Sequence, residues 1–554
     1  GSTSSVGMYA ENELNGVNDV EKLVAENKGL INVTKESSVG MYSSKESTIK
    51  NTGLAINGKG IVLLAKKTAG IIGNNESEVT NTGDITLSST SQPSSPAEGL
   101  VGISLDNTST ATNDGTITVN NDNSTGISGK GGLITNNKEI ILNNKNSVGI
   151  ASTDGSVVNG SATGNKIEVK ESSSVGIFAK LTENAPTPFQ AISNKGTITL
   201  NGGSTKTSSV GIYSLIENKA VQAGKAQTIA NNGTINVGTK SSAGIYINDN
   251  RTKGDDITSF IRNEGTVNVT EESSAGIIGE YSEITNGNPQ TKDGVIELSA
   301  KKTAGIIANK KSKVMNYGTI KTTAFSVGIG EGLVGISADN STVINKNIVD
   351  PVTGMIGTIL LNTAYSTGIY GKNESTLVNE GKITAKEKDS IGMAGENSLL
   401  TNKNIILLEE ENSVGMFGTT DGTKTTVVIN EFVDNNDPNQ RLTGTITTEK
   451  KESVGIFVST EKASAVNRGT IHIKEEKSAG MYGDEANIEN TGTSTNLVAS
   501  ITTEKNESAA MYAKNSNAIN KKKITIEGKK SAGILVELTK DKKVTGTNDV
   551  ADNS

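Results

Sequence analysis

The chain has 554 residues, of which only 33% are hydrophobic and 3% are aromatic, so it lacks the large side chains that fill a thick conventional core. It contains no cysteine, which excludes disulfide bonds and thiolate metal sites. The net charge of −7 is spread over many small clusters, and the longest basic run is Lys521 to Lys523, so we expect no nucleic-acid binding.

The chain opens with Gly1 and Ser2, which we interpret as a cloning scar, and closes with a tail at 541–554. Residues 3–540 carry one repeated pattern, which predicts a single continuous domain. Ile, Val and Leu recur at regular intervals in this region, and this regularity argues against intrinsic disorder. No run of about 18 uninterrupted apolar residues occurs, so the sequence predicts no membrane helix.

In its first half, the typical repeat contains Ser or Thr, a small residue, Gly and then Ile or Met, often followed by an aromatic residue. We call its glycine the landmark position, which Ala510 occupies in one repeat. The landmark glycines are Gly7, Gly40, Gly70, Gly102, Gly126, Gly149, Gly176, Gly211, Gly244, Gly276, Gly305, Gly335, Gly368, Gly392, Gly415, Gly455, Gly480 and Gly533.

The second half of each repeat contains an Asn, usually followed two positions later by Gly and then by a short β-forming run such as GTITL or GTINV. One such Asn lies between every successive pair of landmark positions. Because these side chains share one register, we expect them to stack as a ladder along a corner. The asparagines are Asn27, Asn51, Asn81, Asn113, Asn136, Asn159, Asn194, Asn231, Asn263, Asn286, Asn316, Asn345, Asn379, Asn402, Asn430, Asn467, Asn490 and Asn520.

The shortest repeat has 23 residues, as from Gly126 to Gly149. This length is too short for two packed helices but suits three short strands with corners. The sequence therefore predicts an all-β fold, a right-handed parallel β-helix or β-solenoid of about 18 coils, in which each coil contacts only its neighbours.

Alternation along each strand predicts which side chains face the interior. In the run that follows Asn231, Ile235 is predicted to face inward and Thr234 outward. The same rule applied to a landmark strand places Val39 inside, with Ser38 and Gly40 on the opposite face.

Few residues are candidates for enzyme chemistry. His472 is the one histidine, and its parity places it on the outer face. Paired acids such as Glu271 and Glu272 are weak evidence, because adjacent coils bring any two outward acids within about 5 Å of one another. The GDD at 254–256 resembles one polygalacturonase motif, but the companion motifs are absent. We predict no catalytic residue, no metal and no cofactor.

Aromatic residues often follow the landmark phrase. They suit either a sugar-binding strip or cross-strand pairs stacked outside a sheet, and we favour the second interpretation. The residues are Tyr9, Tyr42, Phe178, Tyr213, Tyr246, Tyr370, Phe417, Phe457, Tyr482 and Tyr512.

Several repeats are longer than the rest, with insertions near 88–99, 179–191, 214–228, 248–259, 287–293, 348–357 and 431–442. Those at 179–191, 214–228 and 248–259 belong to consecutive coils, so we expect them to stack at one corner as a raised patch. The predicted binding patch contains Pro186, Pro188, Phe189, Tyr213, Tyr246, Arg251, Asp255 and Asp256.

The phrases SVGMY, SVGIF, SAGIY and ITNxGTI, which recur across residues 3–540, resemble the passengers of the large fusobacterial type V autotransporter adhesins, the RadD-like group. The resemblance implies an N-terminal signal, a long β-helical passenger and a C-terminal outer-membrane barrel, and roles in coaggregation and host-cell attachment. It implies an extracellular location on a Gram-negative bacterium, with membrane contact only through the barrel, which lies outside this sequence.

We therefore expect an adhesin segment and not an enzyme. The expected partner of this monomeric rod is a host or bacterial surface receptor, a protein or a glycan. One alternative is a purely structural stalk or spacer, which needs no elaborated surface. The other is a β-helical carbohydrate-active enzyme, which needs a deep groove lined by acids.

Overall fold

The computed structural model describes residues 4–12, 23–54, 60–106, 108–160, 164–185, 189–217, 220, 225–250, 259–291, 293–348, 355–433, 442–492, 499–539 and 552–553. The chain divides into two compact units, Gly1–Ile278 and Gly279–Ser554. In each unit the repeat predicted from the sequence forms three-stranded coils. We call the sheet of landmark strands the first sheet, that of the strands ending at the repeated Asn the second, and that of the strands after it the third.

The first unit has nine strands in each sheet within its described part, and successive strands of each sheet pair with one another in parallel. Its first sheet comprises Val6–Glu11, Val39–Ser44, Ala69–Gly73, Val101–Leu105, Thr125–Lys130, Val148–Thr153, Val175–Leu181, Val210–Ile216 and Ala243–Asp249. Its second sheet comprises Val24–Asn27, Thr48–Asn51, Glu78–Asn81, Thr110–Asn113, Leu133–Asn136, Ser156–Asn159, Phe189–Asn194, Ala226–Asn231 and Ser259–Asn263. Its third sheet comprises Leu30–Val33, Gly60–Leu63, Asp84–Leu87, Thr116–Val119, Glu139–Leu142, Lys166–Val169, Thr197–Thr207, Thr234–Lys240 and Thr266–Val269.

The second unit repeats this arrangement, again with parallel pairing from coil to coil. Its first sheet comprises Ala304–Asn309, Val334–Asp339, Thr367–Lys372, Ile391–Glu396, Val414–Thr419, Val454–Ser459, Ala479–Asp484, Ala509–Lys514 and Ala532–Glu537. Its second sheet comprises Ser282–Asn286, Lys313–Asn316, Thr342–Asn345, Thr376–Asn379, Leu399–Asn402, Thr426–Asn430, Ala463–Asn467, Asn487–Asn490, Ala518–Asn520 and Asp552–Asn553. Its third sheet comprises Val295–Leu298, Thr319–Thr322, Thr358–Leu361, Lys382–Ala385, Ile405–Leu408, Thr445–Thr448, Thr470–Ile473, Ser500–Thr503 and Lys523–Ile526.

A few further elements leave this pattern. The landmark strand Ala275–Glu280 contains the boundary between the units, and Pro96–Glu98 is a short 3-10 helix. Two antiparallel hairpins follow second-sheet strands at the sites of predicted insertions. They pair Asn347–Ile348 with Met355–Ile356, and Phe432–Val433 with Leu442–Thr443.

The core of each coil is a thin layer of aliphatic side chains that point inward from the sheets. In the third sheet Ile235 and Val237 are fully buried, whereas Thr234 and Asn236 lie half-buried on the outer face, as predicted. Ile212 of the first sheet is fully buried as well. Since every coil repeats this pattern, the core continues from coil to coil within a unit.

The predicted orientation of the landmark strand was wrong at its start. Val39 lies half-buried on the outer face, whereas Gly40 is buried and faces inward together with Met41. The strand bends at the glycine, so that two consecutive residues point inward and strict alternation resumes only afterwards. Ser38, predicted to face outward, is also buried.

The landmark position is glycine in every repeat except that of Ala510, because the coils approach closely there. A Cβ on Gly40 would lie 2.6 Å from the carbonyl oxygen of Gly70 in the next coil and 3.2 Å from Cγ2 of Ile61. Gly211 stands in the same relation to Gly244 and Ile235, at 2.6 and 3.1 Å. A side chain at this position therefore meets backbone, which has little freedom to move.

The repeated asparagines lie at the ends of the second-sheet strands, where they are buried. In the first unit the Nδ2 of each Asn from Asn27 to Asn231 donates to the Oδ1 of the next, ending at Asn263, over 2.7–2.9 Å. In the second unit the same bonds run from Asn286 to Asn520, over 2.7–2.8 Å. Each unit therefore contains an asparagine ladder along the corner between its second and third sheets.

A second ladder, which the sequence reading missed, is formed by the Ser or Thr two positions before the landmark glycine. In the first unit the backbone N–H of Ser147 donates to Ser174 Oγ, and that of Ser174 to Ser209 Oγ, at 3.1 and 3.4 Å. The residue before each serine has positive φ, as at Asn146 and Ser173. These hydroxyls satisfy buried N–H groups at the corner between the third and first sheets. The signal was the hydroxyl-bearing residue that recurs in the phrase itself, where only Leu100 and Leu333 replace it.

Candidate functional site

The structure locates only part of the predicted binding patch. Pro186, Pro188, Arg251, Asp255 and Asp256 lie outside the described residues. Phe189 begins the second-sheet strand Phe189–Asn194, but its side chain is outside the described part of the chain. Tyr213 and Tyr246 lie side by side on the outer face of the first sheet, where they are paired in register.

The three consecutive insertions of the first unit leave the coils at one corner, between the first and second sheets. The first-sheet strands before them end at Leu181, Ile216 and Asp249, and these three residues are direct neighbours in the sheet. The strands continue two or three residues into the ranges predicted as insertions, so each insertion is shorter than expected. Their starting points are stacked in register.

Beside this corner, Tyr213 stacks between two other rings on the outer face. Its ring centroid lies 5.6 Å from that of Phe178 and 5.3 Å from that of Tyr246, with interplanar angles of 37° and 35°. Asn248 Nδ2 donates to the Tyr213 hydroxyl at 3.2 Å. We call Phe178, Tyr213 and Tyr246 the three-ring stack.

The second unit carries a longer row of rings, Phe417, Phe457, Tyr482 and Tyr512, which we call the four-ring stack. Successive centroids lie 5.3, 4.8 and 4.8 Å apart, and the last two pairs are within 9° of parallel. The ring faces therefore cover one another and mainly edges and hydroxyls reach solvent. This geometry supports cross-strand pairing over a sugar-binding strip, because a sugar stacks on an open ring face.

The tyrosines of the four-ring stack are held in their neutral form. The Tyr512 hydroxyl donates to the Glu537 carboxylate, and this bond raises the pKa of Tyr512 to about 12. Burial, with Asp484 nearby, also raises the pKa of Tyr482 above its usual value. These hydroxyls are therefore hydrogen-bond donors at physiological pH.

A buried polar arrangement that the sequence reading missed lies under the insertion corner. Gln190 Nε2 donates to the Gly155 carbonyl at 2.7 Å, and Gln227 Nε2 donates to the Gln190 carbonyl at 3.0 Å. Ser214 Oγ donates to Gln227 Oε1 at 3.2 Å. The Oε1 of Gln190, in a residue only 2% exposed, has no hydrogen-bond partner among the described residues.

The sequence explains why Gln190 Oε1 has no hydrogen-bond donor among the described residues. Ala179 occupies, one coil earlier, the sheet position of Ser214. It supplies a methyl group where Ser214 supplies a hydroxyl, so the Gln190 amide oxygen lacks the donor that Gln227 has. A glutamine at a corner occupied by serine or glycine in most coils is visible in the sequence once the corner register is known.

Many acidic and basic side chains on the outer faces are paired between coils. Glu272 is ion-paired with Lys240 at 3.4 Å, and His472 contacts Glu504 on the outer face of the third sheet. Across the described ranges, no group of three or more His, Asp or Glu residues is arranged to hold a metal ion. No described helix is long and apolar enough to span a bilayer.

The chain matches the family described as BigA third pectate lyase-like domain over residues 56–286, 189–431 and 424–523. No curated protein matches it. A pectate lyase-like fold is a right-handed parallel β-helix, which agrees with the parallel sheets of both units and gives the hand of the coils. The match supports an autotransporter-like passenger exposed on a bacterial surface. The matches together run from residue 56 to residue 523, and the chain belongs to the BigA third pectate lyase-like domain family.

Proposed function

We propose that this chain is an extracellular passenger segment of a bacterial outer-membrane autotransporter and acts as an adhesin. The observation that carries the proposal is the stacking of three insertions at one corner of the first unit, beside the three-ring stack. Recognition residues typically occupy loops that a regular scaffold positions. The family match, which concerns a passenger-type β-helix, supports the same function.

Within this class we propose membership of the fusobacterial RadD-like group, on the strength of the SVGMY and SAGIY phrases. The proposed ligand is a receptor on host cells or on other bacteria, and the proposed site is the patch of Pro186, Pro188, Phe189, Tyr213, Tyr246, Arg251, Asp255 and Asp256. We propose that the segment acts as a monomer.

The test is binding of the labelled chain to whole bacterial cells and to cultured epithelial cells, with competing sugars or amino acids. A variant with the insertions at 179–191, 214–228 and 248–259 shortened to the length found in the other coils is expected to remain folded and to lose binding. A control variant shortened at 287–293, at a different corner, is expected to bind like the parent chain. Equal binding by the parent and the triple-shortened variant would exclude this patch as the receptor site.

A structural stalk is the second candidate function, and the ion pairing between coils favours it. Lys321 pairs with Glu297 at 2.9 Å, Lys474 with Glu449 at 2.9 Å, and similar pairs recur along the outer faces. Such pairs need no ligand. Absence of binding to every cell type tested would favour the stalk over the adhesin.

A further inference from the structure

Two peptides occur twice in the chain, once in each unit. The octapeptide AKKTAGII occupies 65–72 and 300–307, and the heptapeptide EGLVGIS occupies 98–104 and 331–337. In each unit the two peptides lie in consecutive coils, since the strands that contain them pair in parallel. The same local structure is therefore built once in the first unit and once in the second.

Each pair of peptides forms a clasp between a lysine of one coil and a glutamate of the next. In the first unit Lys66 Nζ lies 3.1 Å from the Glu98 carboxylate, and Lys67 N–H donates to the Glu98 carbonyl at 3.1 Å. In the second unit Lys301 Nζ lies 2.8 Å from the Glu331 carboxylate, and the corresponding backbone bond is again 3.1 Å. Both clasps fix the end of a loop that runs from the third sheet to the first.

The two clasped loops differ in chemistry. The loop at 88–99, SSTSQPSSPAEG, is polar, whereas the loop at 323–332, TAFSVGIGEG, presents an aliphatic side chain at its tip. Ile329 is 86% exposed, the highest value among the exposed large hydrophobic residues of the described chain. The two loops share the same clasp but differ at their tips. This is the arrangement expected when the tips contact different ligands and the clasp only holds the loop.

The tip that carries Ile329 is held in one conformation. Glu331 N–H donates to the Gly328 carbonyl at 3.0 Å, and Gly330 has a φ of 73°, as a type II turn requires. The Glu331 carboxylate also accepts the Gly328 N–H at 3.2 Å. At the root of the loop, Asn362 Nδ2 donates to the Thr322 carbonyl at 2.7 Å. Ile329 is therefore presented to solvent without the conformational freedom of an ordinary loop residue.

We propose that Ile329 is an apolar anchor residue that inserts into an apolar pocket on a partner protein, and that the 323–332 loop is the recognition loop of the second unit. This inference rests on the proposed adhesin function and assigns part of its receptor contact to this loop. A preorganised aliphatic side chain gains most of the free energy of its burial on binding, since little conformational entropy remains to be lost.

The charges near the tip favour a protein pocket over a lipid surface. Lys301 is paired with Glu331, and Lys321 with Glu297, so these lysines are neutralised by carboxylates of the chain itself. Binding to anionic lipid relies on several unneutralised basic residues together with a larger apolar area than one isoleucine provides. An uncharged tip with a single aliphatic side chain suits a small pocket in a protein surface.

The first experiment compares binding to whole bacterial and epithelial cells by the parent chain, Ile329→Ser and Ile329→Val. We expect Ile329→Ser to weaken binding at least tenfold and Ile329→Val less than threefold. Circular dichroism and thermal unfolding should be unchanged, because the residue is exposed. Equal binding by the parent and Ile329→Ser overturns this inference alone, whereas a parent chain that binds no cell overturns the proposed function and this inference together.

The second experiment uses the absence of cysteine from the sequence. A polarity-sensitive dye attached to Ile329→Cys should shift its emission to the blue when cells are added, and the same dye on Gln92→Cys, in the polar loop, should not. Protein-free vesicles of mixed neutral and anionic lipid serve as the second probe. A blue shift with vesicles equal to that with cells overturns the protein pocket in favour of a lipid surface.

Glu331 is a positioning residue in this arrangement, because it holds the turn without facing the partner. Glu331→Ala is expected to reduce cell binding several-fold while Ile329 remains present, and the matched Glu98→Ala, which opens the clasp of the polar loop, should leave Ile329-dependent binding unchanged. Hydrogen exchange at the amides of Gly328 and residue 331, which donate the two hydrogen bonds of the turn, should rise in Glu331→Ala only. Retained binding despite faster exchange would show that the locked turn makes no contribution.

Discussion

At the residue scale, the chain often places a small or hydroxyl-bearing residue at the inward position three residues after the landmark glycine. In the first unit these residues include Ser43, Gly73, Ala179 and Ser214, whereas Leu105 and Ile247 occupy the same position in two other coils. The position lies under the corner between the first and second sheets. Whether the side chain at this position carries a methyl or a hydroxyl group decides whether a buried polar neighbour has a hydrogen-bond partner.

The substitution Ala179→Ser tests whether a hydroxyl group at this position stabilises the fold. The new hydroxyl should donate to Gln190 Oε1, as Ser214 donates to Gln227 Oε1 one coil later. A buried amide oxygen that gains a donor is expected to raise the free energy of unfolding by about 1 kcal/mol. Chemical denaturation followed by circular dichroism measures the change.

The matched control is Ala308→Ser, at the equivalent position of a second-unit coil whose corner residue is Ser312 and not glutamine. There the added hydroxyl meets no orphaned amide and should be neutral or destabilising. Equal changes in the free energy of unfolding for Ala179→Ser and Ala308→Ser would show that the missing hydrogen bond to the Gln190 oxygen does not lower the stability.

The cost of burying a charge explains which of two similar segments forms the landmark strand of one coil in the second unit. SVGIG at 326–330 and LVGIS at 333–337 both fit the landmark phrase, and the structure uses the second in its sheet. With the first, the inward position three residues after the glycine would be Glu331 instead of Ala338, which is buried. Burying an unpaired carboxylate costs more than leaving Ile329 in solvent.

At the element scale, the asparagine ladder is the feature that links each second-sheet strand to the next. Asn231 accepts from Asn194 and donates to Asn263, both over 2.7 Å. Asn231→Ala would remove the acceptor to which Asn194 Nδ2 donates and the donor from which Asn263 Oδ1 accepts, both in the buried ladder. We expect a loss of about 2 kcal/mol, or more if both groups stay dry.

Asn232→Ala is the control for this substitution, because Asn232 is the adjacent residue and its side chain is exposed, donating to Glu264. Its removal should change the free energy of unfolding by less than about 0.5 kcal/mol. Thermal unfolding of both variants side by side gives the comparison. A silent Asn231→Ala would mean that the ladder makes no net contribution to stability.

The burial pattern of the strands and the position of the asparagine ladder follow from the sequence, whereas features that depend on contacts between coils do not. Period-two alternation with a one-sided core determined the burial of Ile235 and Val237, and one shared register placed the asparagines at one corner. The bend at Gly40 was not predictable from alternation, because it depends on contact with the next coil's carbonyl. The insertion bounds were too wide, since strand pairing continues into Leu181 and Ile216.

The candidate site was less predictable than the fold. Cross-strand stacking of the aromatic residues was the favoured interpretation of the sequence, but the ring separations and angles that cover the ring faces of Tyr482 and its neighbours need coordinates. The clasps do not follow from the 23-residue repeat, because the two copies of EGLVGIS are separated by many coils. The Gln190 oxygen depends on a residue in another coil, which no local pattern contains.

At the scale of a whole unit, stability is expected to be a sum of interfaces between adjacent coils. The strand that contains Ile235 pairs only with the strands of Ile198 and Val267 in its sheet. A defect in one coil therefore has no direct route to a coil several steps away. Such a unit opens locally before it unfolds as a whole.

The substitution Ile235→Asp tests whether a defect in one coil stays confined to its neighbours. Burying a carboxylate in place of a fully buried isoleucine should cost about 3–5 kcal/mol, because the narrow core offers no partner for the charge. Native-state hydrogen exchange should rise strongly at Ile198 and Val267 and little at Ile85, which lies five coils before the substitution in the same sheet. Thr234→Asp, on the outer face of the same strand, should leave exchange at all three positions near that of the parent. Uniform acceleration across the unit in Ile235→Asp would show that the unit unfolds in one cooperative step, and that the nearest-neighbour description of its coils is wrong.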